Sequence, residues 1–288
     1  MVSLIPVQYG KRKYPHGVTP NILEIAGHFD ALPIVDAIPY SLHTEYSYGA
    51  RDFSSPSLGN LETIRASQRK GIPQLWYNQS WVREFCTFIG RFTKECQPVV
   101  IEIHPPFVDY CPSIAQFIEL YSIFEEFVGH EFPGTRVLVE NRCGSRNRYP
   151  FLISGSRDLL DLVRQIIQHS LNLRIAFDPI GLLTACEENR KLTSNDIRYQ
   201  LDSLKECSSR IGGLHLWGKK RNERGRRVSH VGDLNSYFND NELKRTFLES
   251  LYDLLDDGLE RYFVPEVNSN DKDLSAIVED LIPKFRFV

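Results

Sequence analysis

The chain has 288 residues, more than the roughly 100–200 of one ordinary domain yet within the span of a single α/β barrel. Hydrophobic residues make up 42% and charged residues 25%, which supports a full core and excludes wholesale disorder. Lysine and arginine number 34 against 37 aspartate and glutamate, a net charge of -3, which excludes a basic coat of histone type but not a local basic patch.

In chain order, the stretch Met1 to Tyr9 has only about five apolar residues in a row, short of the ~7–15 of a signal-peptide core, and no run reaches the ~18 of a membrane span. The six cysteines form no C-x-x-C pair, which argues against a zinc finger or a disulfide scaffold. A soluble, unexported, cytoplasmic protein is expected. A weak strand run lies near Val2–Val7 or Ile22–Ala26, and a stronger one from Ile34 to Leu42 ends at His43. The clearest strand runs are Val99 to His104, Arg136 to Glu140, Leu173 to Asp178, Ile211 to His215 and Tyr262 to Glu266. Each is short and nearly continuous in apolar character, as in strands buried on both faces of a parallel sheet. Helical spacing marks Trp81–Phe92, Ile114–Val128, Asp158–His169, Ile197–Cys207, Leu243–Leu255 and Leu274–Ile282. Around Asp158–His169, for example, Asp158, Leu159, Leu162, Val163, Ile166 and Ile167 mark one stripe opposite Arg157, Asp161, Arg164 and Gln168.

This βαβα alternation predicts an α/β protein with a parallel sheet and right-handed crossovers. No Gly-rich phosphate fingerprint follows the first strand, so a Rossmann fold has little support. The expected fold is a single (β/α)8 TIM barrel over residues 1–288, with seven strands marked and an eighth expected around 228–234.

Polar residues fall where the strands stop: His43, His104, Glu140, Asp178, His215 and Glu266. A lone residue of this kind is ordinarily a solvated strand end. In a parallel barrel, however, all C-terminal strand ends open on one face, so six in register point to a shared site. Three carboxylates gathered there repel one another unless a cation neutralises them. A set of N and O donors suits zinc first, with manganese or ferrous iron as alternatives, in a site of one or two divalent metal ions.

Glu140 in Val-Leu-Val-Glu-Asn, Asp178 in Ile-Ala-Phe-Asp, His215 in Gly-Leu-His-Leu and Glu266 in Val-Pro-Glu-Val together resemble the strand-end motifs of the xylose-isomerase-like barrel superfamily. That superfamily includes sugar isomerases and epimerases and the endonuclease IV group, AP endonuclease family 2. The resemblance spans about Ile34 to Glu266 and rests on short motifs. It implies that Glu140, Asp178, His215 and Glu266 form a metal site. It also implies that His43 and His104, the latter in Ile-Glu-Ile-His-Pro, complete a second metal with Glu140 in the endonuclease branch. The positions matching a third metal of that branch hold Gly181, Val228 and His230, so two of its three ligands are absent. His230 is left as a catalytic or phosphate-contacting residue.

Lys219-Lys220-Arg221-Asn222-Glu223-Arg224-Gly225-Arg226-Arg227 carries six cations and one acid. Arg142, Arg146 and Arg148 follow Glu140. Such cationic loops can be merely solvated, or can focus an anionic substrate, either nucleic acid or a small phosphate-bearing or sugar substrate. Trp217 and the tyrosines around His43 can stack on sugars or bases, or simply pack the barrel wall.

Three functions follow. The first is a divalent-metal-dependent phosphodiester hydrolase of endonuclease IV type, with metal-hydroxide attack at phosphorus. The second is a sugar or sugar-phosphate isomerase or epimerase using Glu140 and Glu266 as acid and base. The third is a non-catalytic binding barrel.

Overall fold

The computed structural model describes residues 1–31, 35, 39–93, 96–143, 150–187 and 191–288. Arg146, Arg148 and Ile34 of the sequence expectations lie outside the described residues. Eight apolar runs form the strands: β1 Val2–Gln8, β2 Ile22–Gly27, β3 Tyr40–Thr44 and β4 Val100–Ile103, then β5 Arg136–Glu140, β6 Arg174–Phe177, β7 Ile211–Leu216 and β8 Glu260–Pro265. Their hydrogen-bonded order is the chain order, and β1 also pairs with β8. The fold is therefore the eight-stranded parallel α/β barrel. Most strand residues are buried, as in a sheet covered on both faces.

One strand expectation is corrected. The segment around 228–234 is not a barrel strand: Arg227–Ser229 pairs antiparallel with Lys219–Arg221 as a hairpin. Arg226 and Arg227, which precede Val228, are exposed, whereas the barrel strands are largely buried. Asp233 then caps the helix Leu234–Phe238 by accepting from the Ser236 N–H at 2.8 Å. The eighth strand is found instead at the N-terminus, where both weak runs pair, with Val7 opposite Ile22 and Gln8 opposite Leu23.

Most helices begin earlier than their apolar stripes suggest, because the polar cap precedes the first buried residue. Asp240 accepts from Glu242 and Leu243 at the start of Asn241–Leu255. Asn270 and Thr193 do the same for Asp271–Leu281 and Ser194–Asp202.

Contacts divide the chain into two compact units, Glu24–Ile175 and a second made of Met1–Leu23 with Ala176–Val288. The core of the first is aromatic. Trp81 stacks on Phe85 with centroids 4.9 Å apart, and Trp76 meets Phe117 edge-on at 5.3 Å. The second holds a fully buried guanidinium, Arg261, which donates to the carbonyls of Ile211, Leu255, Leu259 and Ser208 and to Asp257. Burial of that charge is tolerated because its donors are satisfied. Among the described residues no helix is long and apolar enough to cross a membrane.

Candidate metal centre

Strand register assembles the centre in the unit Glu24–Ile175. In the β3–β4 pair His43 lies opposite Glu102, and in the β4–β5 pair Glu102 lies opposite Leu138. Side chains alternate along a strand, so Glu102 and His104 share a face of β4, and Leu138 and Glu140 share the matching face of β5. One ligand atom from each of His43, Glu102, His104 and Glu140 lies within 4.8 Å of the others, and all four residues are buried.

The outer nitrogens of both histidines are already engaged. Nδ1 of His43 lies 3.2 Å from Glu24 Oε1, and Nδ1 of His104 lies 3.0 Å from the Glu45 carbonyl oxygen. A carbonyl only accepts, so His104 carries its proton on Nδ1. The two Nε2 atoms then face each other at 2.9 Å, and His104 Nε2 stands 3.0 Å from Glu140 Oε2. Burial pushes the His104 imidazole below its ordinary value, which favours the neutral form. Neutral imidazoles with Nδ1–H directed outward and Nε2 lone pairs converging on carboxylates are the donor arrangement of a metal ligand pair.

Charge leads to the same conclusion. Glu24, Glu45, Glu102 and Glu140 stand against Arg51 and Arg142, so the ionised group carries two surplus negative charges with its histidines neutral. Arg51 Nε reaches both Glu45 oxygens at 3.0 Å, and those oxygens also accept from the Phe29 and Tyr46 N–H groups at 2.8 Å. Burial raises the Glu45 carboxyl, while Arg51 and the two N–H groups draw it back. Arg142 Nη1 meets Glu140 Oε2 at 3.0 Å. The buried His and Glu groups fit a divalent cation in donor type and in charge.

In the other unit, β7 and β8 place His215 opposite Val264, one level below Glu266. Nδ1 of His215 lies 3.5 Å from Glu266 Oε1, and Nδ1 of His230 lies 3.3 Å from Glu266 Oε2. His230 has a left-handed backbone, φ 61°, and stacks on the buried Trp217 with centroids 4.7 Å apart. Asp178 is buried, and its Oδ1 accepts from the Gly181 N–H at 2.8 Å. A Cβ at position 181 would stand 2.4 Å from Asp178 Oδ2, so glycine there lets the carboxylate sit over the start of the helix Pro179–Glu187. Lys219, Lys220 and Arg221 form one arm of the hairpin, with Lys220 and Arg221 exposed. Asn222 Oδ1 fixes the hairpin tip by accepting from the Arg224 and Arg226 N–H groups at 3.0 Å.

Glu102, Glu24 and Glu45 were missed by reading only strand ends. Glu102 was visible as a charge inside an apolar strand, two residues before His104. Glu24 likewise interrupts β2. Arg51 and Trp76 carried no signal, because loops place them. Trp76 Nε1 donates to the His104 carbonyl at 2.8 Å and anchors the end of β4.

No protein-family profile matches the sequence, and no curated protein matches it. Solved structures do. AP endonuclease family 2 from Brucella melitensis matches at TM-score 0.52 and 12% identity, over 90% of this chain and 87% of that one. A xylose isomerase domain protein from Planctomyces limnophilus matches at 0.47 and 15%, over 95% and 97%. The probable 3-DHS dehydratase of petrobactin synthesis from Bacillus anthracis matches at 0.44 and 13%, over 85% and 76%. At 12% identity the first of these shares the fold alone, a barrel that hosts many chemistries. The structural neighbours are xylose-isomerase-like TIM barrel proteins, and this chain has their fold.

Proposed function

We propose that the protein is a divalent-metal-dependent hydrolase acting on phosphodiesters, with His43, Glu102, His104 and Glu140 holding a metal ion, zinc foremost. The observation that carries this reading is the pair of Nε2 atoms 2.9 Å apart, each imidazole oriented by an acceptor on its other nitrogen. Proton transfer on a sugar between two glutamates needs no such histidine pair, whereas a hydrolytic metal site uses it. A divalent cation supplies Lewis-acid polarisation of a phosphoryl oxygen and a water acidic enough to be a nucleophile near neutral pH.

The chain's own residues do the rest. Glu24 and the Glu45 carbonyl hold the imidazoles in one tautomer. Glu266, beside His215 and His230, is assigned to proton transfer. The exposed hairpin cations Lys220 and Arg221 attract a nucleic-acid backbone or a small phosphate ester. The described cysteines are free thiols, which fits a reducing, cytoplasmic compartment. The imidazoles beside Glu266 are the observation favouring a second reading, proton transfer on a sugar or sugar phosphate.

Purified protein loaded with Zn2+ or Mn2+ should be assayed against an abasic oligonucleotide, an undamaged oligonucleotide and a panel of ketoses. Strand cleavage lost on His104→Ala is expected. Ketose turnover that survives His104→Ala, with no cleavage, would establish the second reading.

A further inference from the structure

Arg142, a cation expected from the sequence to attract an anionic substrate, is instead paired with the metal-site carboxylate Glu140. Its backbone N–H donates to the Ile153 carbonyl at 2.9 Å, fixing the base of the side chain. Its guanidinium lies 5.5 Å from the Tyr46 ring centroid and 5.8 Å from that of Phe151. Phe151 is itself stacked on Phe107 at 4.5 Å. Arg51 lies 4.9 Å from the same Tyr46 ring, and its buried Nη2 has no hydrogen-bond partner among the described residues. Tyr46 in turn lies 5.7 Å from His104 and 6.1 Å from His43.

The contact between Arg142 and Glu140 uses Oε2, the oxygen that His104 Nε2 also faces, each at 3.0 Å. Oε2 is the Glu140 oxygen turned toward His104, so a cation held between the two residues would compete with Arg142 for it. A dication on that oxygen and a guanidinium beside it compete for the carboxylate, because like charges at short range repel more strongly in a buried setting than in water. Flat aromatic walls let a planar guanidinium turn without losing its stacking.

We propose that Arg142 is a two-position residue: it neutralises Glu140 in the metal-free protein and, displaced when Glu140 ligates a cation, turns with Arg51 to bind the anionic oxygens of the substrate beside Tyr46. The inference rests on the metal-centre reading above. It makes the substrate an anion, and it couples anion binding to metal binding through one side chain.

The test uses the full chain, Co2+ followed by its visible absorption, and methyl phosphate titrated calorimetrically into the Co2+-loaded protein. Arg142→Ala should bind Co2+ about three- to tenfold more tightly, because a competitor for Glu140 is gone. The same variant should bind methyl phosphate about tenfold or more weakly. Arg142→Lys, which keeps the charge but not the fork, should fall between. A residue that only supported the fold would weaken both ligands together. Unchanged or weaker Co2+ binding in Arg142→Ala, or unchanged methyl phosphate binding, overturns the inference and leaves the metal centre standing. Failure of the wild-type chain to bind Co2+ overturns both.

Discussion

His43 and His104 face one another across 2.9 Å through their Nε2 atoms, while Glu24 and the Glu45 carbonyl engage their Nδ1 atoms. Neighbouring strands bring the two rings into a stack with centroids 4.7 Å apart. With each ring proton on Nδ1, the Nε2 lone pairs face each other and Glu140, an arrangement that a cation would relieve, so the histidine orientation is the basis of the functional reading.

Glu24→Gln removes the charge that orients His43 and leaves its volume. Metal affinity should fall about 10- to 100-fold, as when an outer partner of a metal-bound histidine is lost. Calorimetric titration of Zn2+ measures this. Wild-type affinity in the variant would mean that Glu24 does not act through His43.

Arg51→Ala leaves Glu45 buried without its cation. Glu45 has a side chain with 0% exposure and Arg51 one with 12%, so the loss should be about 3 kcal/mol of stability. Urea unfolding gives the value, and the double variant Glu45→Gln with Arg51→Ala should recover part of it. Equal losses in the single and double variants would show that the pair is not coupled.

His28 is pushed down to about 4, first by burial and then by Arg51. Between its unfolded value of 6.5 and about 4, the unfolded chain binds a proton that the folded one refuses. Stability of the metal-free protein should therefore fall as pH drops through that window. The urea midpoint at several pH values tests this, and His28→Gln should flatten the slope relative to wild type. Parallel curves for the two proteins would remove His28 from the account.

Glu266→Gln should leave the fold intact and reduce turnover at least about 100-fold, as expected for loss of a proton-transfer group. Circular dichroism and the cleavage assay together decide it. Undiminished turnover would exclude Glu266 from the chemistry.

Much of the barrel was legible because its strands are continuous apolar runs, and His104, Glu140 and His215 stand at or near their ends. The N-terminal strands were harder to separate. β2 carries Glu24 in its interior and reads as broken, yet that glutamate belongs with His43. The hairpin Lys219–Ser229 is hard to foresee because Val228, between Arg227 and Ser229, imitates the start of a short strand. Glu102 lies inside a strand rather than at its end, where a reading of strand ends does not reach. Arg51, Tyr46 and Arg142 meet only through loop geometry, which no spacing in the sequence encodes.

Metal binding at the histidine pair is the central claim, and direct titration tests it. The purified, chelator-treated chain should take up Zn2+ with micromolar or tighter affinity, about 100-fold or more weakened in both His43→Ala and His104→Ala while their circular dichroism spectra match wild type. Wild-type affinity in both variants, or no Zn2+ uptake by the wild-type chain, would contradict the account.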